Sequence, residues 1–153
     1  METLERVLVD HPFFRGLPIE HVQTLVGCAS QARFGAGQFI FHMGDEANRF
    51  YLIRHGRVAL ELSTAERGAI VIETIGENEA LGWSWLLPPY RWNLDARAVE
   101  QVLAFSFDAA CLRGKFEADH DLGYEMYVRF APVMAQRLQA ARVQVLDVHR
   151  TYA

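Results

Sequence analysis

Three tryptophans, two arginines and a Pro-Pro pair fall within one stretch of the 153-residue chain, residues 75–98, IGENEALGWSWLLPPYRWNLDARA. Indole rings present broad faces for stacking, and a guanidinium group forms forked hydrogen bonds to anions. Trp83, Trp85, Trp92, Arg91 and Arg97 could therefore hold a small molecule. The same rings are costly to expose and could equally plug a core.

Other chemistries lack their partners in the sequence. Ser84 stands between two tryptophans, without the glycine-flanked turn of a nucleophile elbow and with no matched histidine and acid, so no catalytic residue is assigned. Glu77 and Glu79 alternate in a turn-rich segment and read as a solvated face. His11, His21, His42, His55, His120 and His149 show no ligand spacing with Cys or with one another, so no metal site is assigned. Cys28 and Cys111 read as reduced, buried small hydrophobes.

The elements that must position the stretch follow from periodicity. Leu4, Val7 and Leu8 suggest a short helix that stops before Pro12, and Pro18 opens a second one through Val22, Leu25 and Val26. From Arg33 the pattern turns to short β segments: 33–34, 39–41, 50–53, 58–62, 70–75, 96–98 and 102–107. Gly35, Gly37, Gly44, Gly56, Gly68 and Gly76 punctuate them, and many short strands suggest a small barrel, roll or sandwich. Asp108 is placed to cap a helix through Phe116.

A longer helix is expected from Asp119 or Asp121. In it Tyr127, Phe130 or Ala131, Met134, Leu138, Ala141, Val145 and Val148 recur at spacings of three and four, as in a seam between two helices. Packing back on the parent domain is the alternative. Arg137, Arg142 and Arg150 read as the outer face of that helix, and Pro132 as a kink or as the start of its last segment.

With 51% hydrophobic and 22% charged residues, the composition is that of a folded globular domain. A formal net charge of −4 gives no electrostatic footprint for nucleic acid. No apolar run approaches the roughly 20 residues that span a bilayer. The acidic N-terminus has no leader pattern, so a cytoplasmic protein is expected, without membrane or nucleic-acid partners.

The order of short helices, glycine-punctuated strands and long C-terminal helix resembles the cyclic nucleotide-binding domain family, which includes the sensor half of the catabolite activator protein. The resemblance is carried by Gly44-Asp45, Tyr51, Ile53, Gly56 and Val58 in GDEANRFYLIRHGRV, by Ile75-Gly76 and Leu81-Gly82, and by Ala98. It implies an α+β, mainly β fold: a cyclic nucleotide-binding-like β-roll, or double-stranded jelly roll, over residues 32–107. N-terminal helices precede it over 1–31 and C-terminal helices follow over 108–153, in one domain. Transcription factors of the family append a helix-turn-helix module, for which the 153 residues leave no room.

In the family, the segment after the glycine matched by Gly82 cradles a cyclic phosphate on a helix N-terminus and an arginine, while a glutamate holds the ribose. Here the glutamate falls on Trp83, the arginine on Trp92 with Arg91 one place earlier, and a Ser or Thr on Asp95. A carboxylate near a phosphate adds repulsion of about 4 kcal/mol at ~4 Å and an effective dielectric near 20.

The resemblance thus implies a non-catalytic sensor with a remodelled pocket at Gly82, Trp83, Ser84, Trp85, Arg91, Trp92, Asp95, Arg97 and Ala98. Its effector would be a cyclic nucleotide (cAMP or cGMP) or another small anion, and it would form a homodimer through Met134, Leu138, Ala141, Val145 and Val148. The alternative is a ligand-free adaptor that uses the WSWLLPPYRW segment as a partner surface.

Overall fold

The computed structural model describes residues 3–152; the side chains of Gln144 and of residues 147–152 lie outside that description. Thr3 caps α1 (Leu4–Val9), its hydroxyl accepting from the Arg6 amide at 3.2 Å. A single 3-10 turn, Pro12–Phe14, leads to α2 (Ile19–Val26). Leu8, Phe14, Val22 and Leu25 from these elements are buried in the core.

Eight strands follow: β1 (Ala29–Phe34), β2 (Phe39–Phe41), β3 (Arg49–His55), β4 (Val58–Thr64), β5 (Gly68–Ile75), β6 (Ala80–Leu81), β7 (Asp95–Ala98) and β8 (Val102–Asp108). They pair antiparallel in two four-stranded sheets, ordered β1-β8-β3-β6 and β2-β7-β4-β5. Facing side chains such as Phe50, Leu52, Val58, Ala96 and Phe105 fill the space between them. This is the α+β, mainly β roll expected. Gly56 makes the β3–β4 turn with φ of 95°, and a Cβ there would run into the Gln101 carbonyl, so the turn accepts only glycine without rearrangement.

Two strands exceed what the pattern announces. β1 begins at Ala29 rather than Arg33, because small and polar residues there are ordered by pairing with β8 from Ala29↔Phe107 to Phe34↔Val102. β6 is two residues long and exists by pairing with Tyr51 and Leu52 of β3. Asp108 caps α3 (Ala109–Ala118), its carboxylate accepting from the Cys111 amide at 2.8 Å. α4 (His120–Tyr152) then runs 33 residues, unbroken through Pro132.

The reading of Cys28 and Cys111 as reduced hydrophobes is corrected: they form a disulfide, with Cα atoms 5.8 Å apart across a sequence separation of 83. The β1–β8 register is the reason. Cys28 directly precedes β1 and Cys111 lies in the first turn of α3, just after β8, so pairing Ala29 with Phe107 brings the two together, and Asp108 donates its amide to the Cys28 carbonyl at 2.9 Å. Spacing along the chain cannot reveal a neighbour created by strand register.

His11 is buried beneath this layer, and its Nδ1 accepts from the Phe13 amide at 3.1 Å to cap the 3-10 turn. Burial holds its imidazole below the ordinary value of 6.5; the Arg54 charge acts the same way, while the Ile53 backbone opposes. The unfolded chain thus binds a proton at His11 more readily than the folded one, and stability falls as pH drops below about 6.5. His11→Asn, which keeps an acceptor for the Phe13 amide, is expected to flatten the difference in urea midpoint between pH 7 and pH 5. For the disulfide, Cys28→Ser/Cys111→Ser should lower unfolding free energy by about 2–4 kcal/mol relative to the oxidised parent. Dithiothreitol should lower the parent's denaturation midpoint and leave the double variant's unchanged.

Candidate functional site

The aromatic stretch divides between core and wall. Gly82 has φ of 83°, and a Cβ there would run into Cζ3 of Trp92, so this glycine makes room for the indole. The chain continues through a 3-10 turn, Ser84–Leu86, a cis Pro88-Pro89 bond and Tyr90 at φ of 57°. The Gly44-Asp45 turn holds the returning segment: Gly44 donates to the Trp92 carbonyl at 2.8 Å, Trp92 donates to the Asp45 carbonyl at 3.0 Å, and Ala47 donates to the Tyr90 carbonyl at 2.7 Å.

Trp85 is the core plug. It is fully buried, stacked on Phe50 with centroids 5.2 Å apart and edge-on to Phe130 at 5.3 Å. Arg113 locks this turn from outside, donating to the Trp85 carbonyl at 2.7 Å while its guanidinium lies 4.2 Å above the Tyr90 ring. Trp92 stacks on Phe41 at 3.7 Å with the rings 5° from parallel. With Trp83, it forms part of a wall.

That wall bounds a cavity of about 540 Å³ between the β2-β7-β4-β5 sheet and α4. The size suits a small-molecule ligand. Leu60 and Leu62 of β4 and Ile70 and Ile72 of β5 line the sheet side, while Met134, Leu138, Ala141 and Val145 line the α4 side. Arg137 is the one charged side chain among the described lining residues.

The placement of Arg137 on an outer helix face is corrected, since it is 8% exposed and points toward the roll. Its Nη1 donates to Glu73 at 2.9 Å and its Nη2 to the Ala80 carbonyl at 2.7 Å, while Gln136 donates to the other Glu73 oxygen at 2.8 Å. A cation between two helix turns looks solvated until a carboxylate and a bare strand-end carbonyl are brought beneath it.

Of the nine expected ligand residues, Gly82, Trp83, Ser84 and Trp92 line the cavity. The others are engaged elsewhere. Arg91 is exposed and donates to the Gly44 carbonyl at 3.0 Å, and Arg97 donates to the buried Glu61 at 2.8 Å. Asp95 accepts from the Met43 amide at 2.7 Å with the His42 ring 3.7 Å away, and Ala98 is buried in β7. The arginines are thus placed in turn and sheet contacts.

The lining from β4 and β5 was available as an alternation: Leu60 with Leu62, and Ile70 with Ile72, share a face at a spacing of two. Nothing in that pattern distinguishes a cavity wall from packed core. Four of the seam residues line the cavity, and Leu138 and Val145 are also each 55% exposed. Val148 belongs to α4, with its side chain outside the described residues.

The cyclic nucleotide-binding domain model matches residues 31–119, more than half of the chain and all eight strands except the start of β1. The chain belongs to this family. A Geobacter metallireducens GS-15 protein assigned as cyclic nucleotide-binding is 25% identical, with a TM-score of 0.77 over 90% of this chain and 99% of that one. The sensor domain of the Pseudomonas aeruginosa transcriptional regulator DNR is 20% identical, with a TM-score of 0.70 over 88% and 93%. The Thermus thermophilus catabolite activator protein is 22% identical, with a TM-score of 0.69 over 90% of this chain and 63% of that one. No curated protein sequence matches significantly. The fold is therefore that of a cyclic nucleotide-binding domain, and no helix among the described residues is long and apolar enough to cross a membrane.

The glycine that admits the Trp92 indole supplies a test. Gly82→Ala adds a Cβ both at a left-handed φ and against an aromatic ring, and should destabilise by more than about 1 kcal/mol. Gly114→Ala, inside α3 with open space around it, should be neutral or stabilising by up to about 1 kcal/mol. Urea midpoints of the two variants check the contrast.

Proposed function

We propose that the chain, residues 1–153 acting as one unit, is a non-catalytic regulatory domain. It binds a small-molecule effector between the β-roll and α4 and relays occupancy through α4. The observation that carries this reading is the cavity itself, bounded by the Trp83–Trp92 wall on one side and by α4 on the other. A ligand there contacts both bodies at once, so it binds one helix position better than another, as any ligand-driven shift requires.

The family suggests cAMP and cGMP as first probes. The arginines expected to meet a phosphate, Arg91 and Arg97, make their contacts with the Gly44 carbonyl and Glu61 instead. An open cavity with a buried Trp92 and a buried Arg137 on its walls also weighs against the ligand-free adaptor, which calls for a filled interior and an exposed indole.

The reading includes a homodimer. Leu138, Val145 and Leu146 are each more than half exposed on α4, an apolar surface that a second α4 would cover while closing the cavity mouth. A cytoplasmic setting is also part of the proposal.

Titration of the purified chain with cAMP, cGMP and a panel of small metabolites, read by tryptophan fluorescence and thermal melting, tests the effector. One compound is expected to give a saturable shift of several degrees at about 100 times its Kd, and silence across the panel would overturn the reading. Light scattering should give a dimer mass for the parent and a monomer mass for Leu138→Glu/Val145→Glu.

A further inference from the structure

The chemistry of the cavity wall narrows the class of effector, and the inference rests on the reading of this cavity as an effector site. Most of the described lining side chains are apolar: aromatic rings from Phe41, Trp83 and Trp92, aliphatic chains from β4 and β5, and Met134 from α4. The uncharged polar side chains among the described lining residues are Thr64, Ser84 and Asn93. Transferring a phosphate or a ribose from water into such surroundings requires donors and acceptors in number, because each polar group left without a partner there costs free energy.

The one lining cation does not change this balance. Arg137 already faces the Glu73 carboxylate at 2.9 Å, and that carboxylate is also held by Gln136. The pair is close to electrically neutral. An anion entering beside it would meet the Glu73 charge as well as the guanidinium, and either be repelled or have to displace Glu73 from both of its donors. Among the N–H donors these contacts leave open is the buried Nε–H of Arg137, a nitrogen with no hydrogen-bond partner. An acceptor oxygen that brings no charge would satisfy it without disturbing Glu73.

We infer that the cavity takes an uncharged, mostly apolar small molecule bearing one acceptor oxygen, such as a ketone or ester carbonyl, in preference to a cyclic nucleotide or a carboxylate. The apolar body is held by area burial against the two sheet strands and the Trp83–Trp92 wall. The carbonyl provides orientation.

The test uses the full chain with three probes, 2-nonanone, nonanoate and cAMP, read by tryptophan fluorescence and by thermal melting. Parallel titrations use Ala141→Trp, which fills the cavity from a half-buried position on α4, with far-ultraviolet circular dichroism confirming that it is folded. The expected result is saturable binding of 2-nonanone, at least tenfold tighter than nonanoate, lost in Ala141→Trp, and no response to cAMP. Nonanoate or cAMP binding as tightly as the ketone, in a manner sensitive to Ala141→Trp, would overturn the ligand class and leave the effector site standing. No response to any of the three would overturn the ligand class, and silence extending through the wider panel would remove the effector site with it. Ketone binding unchanged in folded Ala141→Trp would place the ligand elsewhere and overturn the inference.

Discussion

Phe50 on β3, Trp85 in the turn after Gly82 and Phe130 on α4 pack ring against ring, with Trp85–Phe50 and Trp85–Phe130 centroids within 5.3 Å and Phe50–Phe130 at 4.8 Å. Three segments distant in sequence are fastened at one point. Phe13 joins from the N-terminal turn, 5.1 Å from Phe130. Large rings buried this completely are worth several kcal/mol each to the fold, so the turn after Gly82 has no freedom to drift into the cavity. The wall made by Trp83 and Trp92 keeps its shape because Trp85, between them in sequence, is committed to the other side.

Polar anchoring follows the same division. Arg129 donates to the Phe13 carbonyl at 3.0 Å and the Arg15 carbonyl at 2.8 Å, fixing the first half of α4 to the N-terminal helices. Arg137 and Gln136 fix the next turns to Glu73. A buried ion pair adds little net stability compared with apolar packing, yet removing one partner is strongly destabilising. Its contribution here is positional, since it sets where α4 crosses β5 and therefore how wide the cavity stands.

The fold was legible in the sequence where local pattern and global role agree. Gly44-Asp45, Gly56 and Gly82 each occupy turns, the alternating strands pair, and Asp108 caps α3. Function at the level of single residues was less legible. Trp85 and Trp92 share a residue type and a neighbourhood, and only the three-dimensional path of the chain sends one to the core and the other to a wall. Arg91, Arg97 and Asp95 read as ligand groups because charged residues near a phosphate-binding turn invite that reading, whereas Gly44, Glu61 and Met43 claim them through contacts 36 to 52 residues away in sequence, which no periodicity reports. The disulfide was hidden for the same reason, being a product of strand register.

The length of α4 has a mechanical meaning. Leu122, Met126 and Phe130 are fully buried, so the helix is clamped up to there, while Leu138, Val145 and Leu146 are largely exposed. From Phe130 to the end of α4 at Tyr152 is roughly 30 Å of helix, at about 1.5 Å per residue, whose first turns are held by Val133 and Met134 packing and by the Gln136 and Arg137 bonds. A tilt of roughly 10° about the clamp, taken up near Pro132 where a backbone hydrogen bond is missing, carries the tip about 5 Å. The Arg137–Glu73 contact sits close to that point, so in the relay we propose a sub-ångström change beneath it would grow several-fold by the far end. Such a relay would have the proportions of a lever with its input near the pivot.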